Sequence, residues 1–254
     1  MNKSKIADNF SRYAHLYDKY AGVQNQAAFE LVNYLKSGTF SKILELGCGT
    51  GNYTLLLRKE FAGARIKALD ISEEMVSVAQ HKLKDKDIEF MVADAEKIIP
   101  DQDFDLITSN ACFQWLNDPA KALRGYVKSL HRGGIVYFSI FGPHTFCELN
   151  TVLKSVLEGS RLDSDYFCNR NRLRVMLRDN FKSVKINEVC YKESFDSLKG
   201  LLEKIKYSGI RGNGLSQKVY FSRGLLERLE KVYLDRFGEI CATYQVFFCR
   251  GEKR

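Results

Sequence analysis

A glycine-rich turn between an apolar run and a helical pattern constrains this chain more than any other feature. The turn spans Glu45-Leu46-Gly47-Cys48-Gly49-Thr50-Gly51 and overlaps the end of an apolar run at 43–46, which is typical of a buried strand. A helical pattern follows at 52–61. Glycines here let the backbone pass close to a ligand, although a bare tight turn would use them as well. The segment therefore predicts either a ligand-binding loop or a simple turn.

Strands and helices alternate from this turn onward. The pattern predicts strands at 39–46, 66–70, 88–93, 104–109, 135–141, 184–191 and 241–249. It predicts helices at 52–61, from 72 onward, and at 119–130, 146–157, 169–177, 197–207 and 223–237, with a break at His131-Arg132-Gly133-Gly134. Alternation of this kind implies a parallel, doubly wound sheet. We therefore expect an α/β, Rossmann-like fold with a seven-stranded, mostly parallel sheet.

Polar side chains follow three of the predicted strands. Asp70 ends the second strand, Asp94 follows the third and Asn110 follows the fourth. Ligands of such sheets bind at the carboxyl ends of the strands. Each residue also has a simpler interpretation, because aspartates cap helices and asparagine favours turns. Their common placement favours a shared binding site.

The glycines run G-x-G-x-G, and Asn52 stands where a third dinucleotide-type glycine would be. Residues 40–141 resemble the class I S-adenosylmethionine-dependent methyltransferases: Glu45-x-Gly47-x-Gly49 matches their first motif, Asp70 their ribose position and Asp94 their adenine position. The resemblance implies S-adenosylmethionine as cofactor. The residues it implies for the cofactor site are Glu45, Gly47, Cys48, Gly49, Asp70, Ile71, Asp94, Ala95 and Asn110.

The domain organisation follows from the same pattern. The chain has 254 residues, three prolines and no linker-like segment, so we expect a single methyltransferase domain over 1–254. Within it, 1–38 would form an N-terminal helical cover and 39–141 the cofactor-binding core. The remainder, 142–254, would supply lid insertions and the last strands. The N-terminus is polar, and the longest apolar run is far shorter than the ~20 residues of a membrane span, which predicts a cytoplasmic protein.

The segment after the fourth strand limits which methyl acceptors are compatible with the sequence. Ser109-Asn110-Ala111-Cys112-Phe113-Gln114-Trp115 lacks the Asn/Asp-Pro-Pro-aromatic motif of enzymes that methylate amino groups of nucleic acids. The extra carboxylates of a magnesium site are missing, and none of the seven cysteines has C-x-x-C spacing. The sequence therefore predicts no metal site and disfavours nucleic acid as substrate.

A finer resemblance covers nearly the whole chain, to the malonyl-acyl carrier protein O-methyltransferases of early biotin synthesis. Its marks are Phe10-Ser11-Arg12-Tyr13-Ala14-x-x-Tyr17-Asp18, Ser109-Asn110, Gln114-Trp115, Phe141-Gly142-Pro143-His144-Thr145-Phe146-x-Glu148-Leu149, Ile205-Lys206-x-x-Gly209 and Thr243-Tyr244. Ile210 departs from the alanine expected there. The resemblance implies methyl transfer to the free carboxylate of a malonyl thioester, on an acyl carrier protein or on coenzyme A.

A carboxylate acceptor is already ionised at neutral pH, so this SN2 reaction needs positioning and exclusion of water rather than a general base. A cationic or hydroxyl group would still hold the malonyl end. The candidates are Tyr17 and His144 as catalytic residues, Lys206 and Arg211 as substrate-binding residues, and Gln114 and Trp115 as pocket walls. Each has an alternative as a cover, loop, solvated or core residue.

The formal net charge is +8. Arg170, Arg174 and Arg178 recur every four residues and would form a stripe on one helix face. An acidic acyl carrier protein would be attracted by such a stripe, although a solvated surface would look the same. We expect no nucleic-acid or membrane partner. The alternatives are a methyltransferase for a free small carboxylic acid, a basic nucleic-acid-binding protein, and a cofactor-binding scaffold without chemistry.

Overall fold

A computed structural model describes residues 3–97, 103–160, 162–209 and 221–254. The described part forms one seven-stranded sheet with the order β3-β2-β1-β4-β5-β7-β6. The strands are β1 (Lys42–Leu46), β2 (Arg65–Asp70), β3 (Ile88–Val92), β4 (Phe104–Ser109), β5 (Leu130–Phe141), β6 (Ser183–Phe195) and β7 (Ile240–Glu252). The first five are parallel, and β7 runs antiparallel to both β5 and β6. This confirms the predicted fold class.

The helices of the described residues lie close to the predicted positions. They are α1 (Lys3–Tyr20), α2 (Gly22–Leu35), α3 (Asn52–Glu60), α4 (Glu73–Lys82), α5 (Pro119–Ser129), α6 (Cys147–Val156), α7 (Arg170–Arg178), α8 (Leu198–Tyr207) and α9 (Arg223–Phe237). Helix α4 begins as expected, because the Ser72 hydroxyl accepts a hydrogen bond from the Met75 amide at 3.1 Å. No helix in the described ranges has both the length and the apolarity to cross a membrane.

Two hydrophobic layers hold the helices against the sheet. On β7, Val246 and Phe248 join one core, which also includes side chains of α2, α3, α6, α8 and α9. The alternate residues Phe247 and Cys249 join a second core with side chains of α5 and α7. This alternation follows from the period of two along a strand. Helices α5 and α7 therefore share one face of the sheet.

Helix α5 ends before 131–134 as predicted, but this segment already belongs to β5, which begins at Leu130 instead of the predicted Ile135. A register shift between β4 and β5 accommodates it: Phe104 pairs with Leu130, whereas Leu106 pairs with Ile135. Gly133 has φ +82°. A Cβ on Gly134 would lie 2.9 Å from the Phe104 carbonyl oxygen. The two glycines that follow the helix thus also let the strand bulge and continue.

Candidate active site

A cavity opens at the carboxyl ends of β1, β2 and β4 and just after β3. We call it the groove. It brings together nine of the predicted residues: Tyr17, Gly47, Gly49, Asp70, Ile71, Asp94, Ala95, Asn110 and Trp115. It is also lined by Lys3, Ile6, Phe10, Leu69, Met75, Ala93, Ala111, Cys112 and Leu116. Of the residues from α1, only Tyr17 was predicted; Lys3, Ile6 and Phe10 were missed, although their spacing with Tyr17 is the signal of one helix face.

The glycine turn forms the floor of the groove. The Gly47 and Cys48 amides donate to the Leu69 carbonyl oxygen at 2.8 and 2.9 Å, which ties the turn to β2. Gly47 has φ +70°, and a Cβ there would lie 2.5 Å from the Cys112 sulfur. Gly49 has φ +52°, and a Cβ there would meet no atom within 4 Å. The protein thus leaves space beside Gly49 while packing closely on Gly47.

Asp70 stands at the end of β2 and orders the turn. Its Oδ2 accepts from the Gly49 amide and its Oδ1 from the Ser72 amide, both at 2.9 Å. Burial raises the pKa of Asp70, and the amide hydrogen bonds partly oppose this shift. Each carboxylate oxygen has two acceptor sites. Asp70 can therefore hold the turn and still accept hydroxyl donors from the groove.

Asp94 lies beyond β3, under the first residues of α1. The Lys3 ammonium donates to Asp94 Oδ1 at 2.5 Å and also pairs with Glu96. Burial alone would raise the pKa of Asp94, but the hydrogen bonds from Lys3 and from the Glu96 amide bring it below its ordinary value. Next to it, the Ala95 carbonyl oxygen accepts from the Tyr126 hydroxyl at 2.8 Å. Asp94 is thus an ionised acceptor at this end of the groove.

Asn110 connects three elements where β4 ends. Its Oδ1 accepts from the Ser139 hydroxyl at 2.6 Å, and its Nδ2 donates to the Gln24 carbonyl oxygen of α2 at 2.9 Å. The Ser139 hydroxyl in turn accepts from the Ala111 amide at 2.9 Å. Ala111 has φ +53°. The Asn110 amide is therefore held rigidly, and the backbone that follows turns back along the groove.

Helix α1 roofs the groove with aromatic side chains. The Phe10 ring lies 6.2 Å from the rings of both Tyr17 and Trp115. Gly209 has φ +71°, and a Cβ there would lie 2.1 Å from the Phe10 ring. Of the motif Lys206-x-x-Gly209, the glycine therefore serves the roof by making room for Phe10. Burial and the charges of Asp70 and Asp18 raise the pKa of Tyr17, so its hydroxyl keeps its proton at neutral pH.

Three predicted substrate-site residues are not among those that line the groove, which corrects their placement. The His144 side chain is exposed, and its backbone amide donates to Gln245 Oε1 at 3.0 Å. The Lys206 ammonium lies over the rings of Tyr13 and Tyr207, at 5.6 and 4.9 Å, so the side chain is engaged between α1 and α8. Gln114 is buried and donates to the Ala111 carbonyl oxygen. Arg211 lies outside the described residues.

Two residues of the first motif are buried beneath the groove instead of lining it. Cys48 is buried beside Ala68 and Val76. Glu45 is fully buried, with the Thr54 hydroxyl as a neighbour but no hydrogen bond of good geometry. Burial, together with the nearby Asp70 charge, raises the pKa of Glu45 to about 8. The carboxyl group is therefore largely protonated at neutral pH in the folded chain.

We expect Glu45→Gln to stabilise the protein at high pH. The folded state holds the Glu45 proton up to about pH 8 and the unfolded state only to about 4.5, so wild-type stability falls as pH rises between these values. The amide cannot ionise, and each unit of pKa difference corresponds to ~1.4 kcal/mol. Urea unfolding at pH 5 and pH 9 measures the difference. The exposed Glu60→Gln is the control, and an unchanged difference between the two pH values contradicts the prediction.

A known protein family, curated relatives and solved structures are similar to this chain. A family model described as a methyltransferase domain matches residues 44–138. Malonyl-[acyl-carrier protein] O-methyltransferase 1 of Ilyobacter polytropus is 36% identical over 94% of this chain and 89% of its own length. Among solved structures, the YcgJ protein of Bacillus subtilis aligns with a TM-score of 0.62, at 17% identity, over 89% of this chain and 98% of its own.

A second solved structure is phosphoethanolamine N-methyltransferase 2 of Haemonchus contortus in complex with S-adenosyl-L-methionine. It aligns with a TM-score of 0.61 at 19% identity, over 96% of this chain and 57% of its own. At these identities the two structures show the fold. The full-length relative, at 36%, shows the family.

Proposed function

Because the chain belongs to the malonyl-[acyl-carrier protein] O-methyltransferase family of class I methyltransferases, we propose that it methylates the free carboxylate of a malonyl thioester. The observation that carries this function is the 36% identity to such an enzyme over 94% of the chain. The product is a methyl ester, and the resemblance of the sequence motifs assigns the step to early biotin synthesis. S-adenosylmethionine is the proposed methyl donor.

The residues of the groove fit this donor. Gly49 leaves open space at the turn, so a ligand can lie against its backbone. Asp70 retains acceptor sites for the two ribose hydroxyls, and Asp94 is an acceptor for the adenine amino group. Asn110 would contact the methionine part. When bound, S-adenosylmethionine supplies an electrophilic methyl group on its sulfonium.

The acceptor end of the groove is apolar and carries a neutral donor. Phe10 lies next to both Tyr17 and Trp115, and apolar walls of this kind would help to exclude water and so strengthen the remaining polar contacts. The Tyr17 hydroxyl, protonated because its pKa is raised, can donate to an oxygen of the acceptor carboxylate. No histidine lies among the described lining residues. We propose that Tyr17 orients the carboxylate, which is itself the nucleophile.

Mass spectrometry of malonyl-carrier protein after incubation with S-adenosylmethionine tests the function. We expect the acyl group to gain one methyl group, and base treatment should remove it as expected of an ester. Malonyl-coenzyme A and free malonic acid are compared in parallel. Methylation of the free acid alone would favour the small-acid alternative, and no methylation of any of the three would refute carboxyl methyl transfer.

The rate of methyl transfer should be nearly independent of pH from about 6 to 8. The acceptor carboxylate has a pKa far below this range, and Tyr17 stays protonated across it because its pKa is raised. Single-turnover rates measured at saturating substrates isolate the chemical step from product release. A rise with a midpoint near pH 7 would indicate a general base and thus a different acceptor.

A further inference from the structure

Helices α5 and α7 pack side by side and carry basic residues without a single acidic one. Residues of both contribute to the same hydrophobic core under one face of the sheet. Helix α5, Pro119–Ser129, contains three basic residues, and α7, Arg170–Arg178, contains four. Six of these seven are exposed, and we call them the basic face: Lys121, Arg124, Lys128, Arg172, Arg174 and Arg178.

Arg170 does not belong to the basic face, which corrects the three-arginine stripe expected from the sequence. Its guanidinium donates to the Ile186 carbonyl oxygen at 2.8 Å and pairs with Glu188 at 3.4 Å. The side chain is half-buried and fastens α7 to β6. The six members of the basic face, in contrast, form no ion pair within the described ranges.

The arrangement is unfavourable for the isolated chain. Lys121 and Arg172 stand in the first turns of their helices, where the positive end of the macrodipole disfavours a cation. Like charges four residues apart, such as Arg174 and Arg178, repel one another. An acidic partner would offset both costs. Complementary charge across an interface also speeds encounter.

The basic face begins beside the groove. Leu116 lines the groove two residues before the N-cap of α5, and Glu96 accepts the backbone amides of Asn117 and Asp118 there. On the other side, the Trp115 ring lies 5.7 Å from the ring of Phe167, three residues before α7. Helix α5 therefore starts beside Glu96, which shares Lys3 with Asp94, and α7 starts beside Trp115, so both helices start at the edge of the groove. A thioester arm from a protein seated on this face would enter there.

We propose that the basic face of α5 and α7 docks an acidic carrier protein, so that its malonyl thioester reaches the groove. This inference rests on the proposed function and deepens it by assigning the partner surface. The contribution of α5 is visible only in the folded chain, because α5 and α7 are about 50 residues apart in sequence. Exposed positive charge on both helices, which start at the edge of the groove, is the observation that carries it.

The test uses two charge-reversed double variants, Lys121→Glu with Arg124→Glu, and Arg174→Glu with Arg178→Glu. We expect kcat/KM for malonyl-carrier protein to fall roughly tenfold or more in each, and kcat/KM for malonyl-coenzyme A to change less than about threefold. The wild-type preference for the carrier should shrink as salt rises. The matched control is Arg228→Glu with Lys231→Glu, two exposed residues of α9 across the sheet. It should leave kcat/KM unchanged for both substrates.

Binding of unloaded carrier protein, followed by fluorescence anisotropy at low salt, separates this inference from the proposed function. The two double variants should bind roughly tenfold more weakly than wild type and the α9 control. If no malonyl thioester is methylated, the proposed function is refuted, but this binding comparison still tests whether the basic face docks the carrier protein. Equal losses on carrier and coenzyme A substrates, or unchanged carrier binding, overturn the proposal. Tighter binding of an RNA duplex than of carrier protein to this face also overturns it.

Discussion

Gly49→Val is expected to abolish cofactor binding while the chain stays folded. A Cβ at Gly49 meets no protein atom within 4 Å, so the added side chain would occupy open space where Gly49 lines the groove. A bound ligand would need that space. We expect the affinity for S-adenosylmethionine to fall at least ~100-fold, equal to ~2.7 kcal/mol. Isothermal titration calorimetry measures the affinity, and circular dichroism verifies the fold.

Backbone strain must be separated from this steric effect. Gly49 has φ +52°, which a side chain adopts at a cost of about 1–3 kcal/mol. Gly238, with φ +74° and equally open space, caps α9 away from the groove. Gly238→Val should therefore lose similar stability and keep its cofactor affinity. If both variants bind the cofactor like wild type, the turn is not the binding loop.

Gly47 offers the opposite case at the same turn. A Cβ there would lie 2.5 Å from the Cys112 sulfur, and the backbone has φ +70°. Gly47→Val should therefore lower the stability of the protein itself, through both a clash and strain. Glycine is thus needed at the two positions for different reasons: Gly49 leaves the space that we propose for the ligand, and Gly47 makes room for Cys112, which follows β4.

Asp70→Ala is the second large effect, and we expect it to weaken S-adenosylmethionine binding by about tenfold to a hundredfold. The substitution removes the acceptor that we propose for the ribose hydroxyls, and unmet buried donors cost about 1–3 kcal/mol. It also frees the Gly49 and Ser72 amides, which loosens the turn. Calorimetric titration again gives the affinity. Unchanged binding with an intact fold would remove Asp70 from the site.

Asp105→Ala is the matched control for the structural part of this effect. Like Asp70, the Asp105 carboxylate accepts from two backbone amides. Its donors are Ser41 and Lys42, at 2.5 and 2.7 Å. It lies near the start of β4, at the opposite edge of the sheet from the groove. The variant should lose stability but retain cofactor affinity. A comparable loss of affinity would mean that Asp70 acts only through the stability of the sheet.

The sequence by itself determined the succession of strands and helices along the chain, the glycine turn and the polar residues at the strand ends. These are local patterns: apolar periodicity sets a strand, and a glycine run or an aspartate marks where it ends. Because parallel strands all end at one edge, the placement of Asp70, Asp94 and Asn110 near one another followed from the order of elements alone. For the same reason the fold class was predictable.

Tertiary structure decided which candidate side chains reach the groove. Lys206 was expected to bind substrate and Arg170 a protein partner, but the rings of Tyr13 and Tyr207 engage Lys206 and a carbonyl oxygen of β6 accepts from Arg170. The contacts of Lys206 with Tyr13 and of Arg170 with Ile186 join different elements of the fold, and no local pattern encodes them. The same is true of the roof, where Gly209 admits Phe10 from the other end of the chain. Local sequence therefore specifies the elements, and packing between distant segments specifies what each side chain contacts.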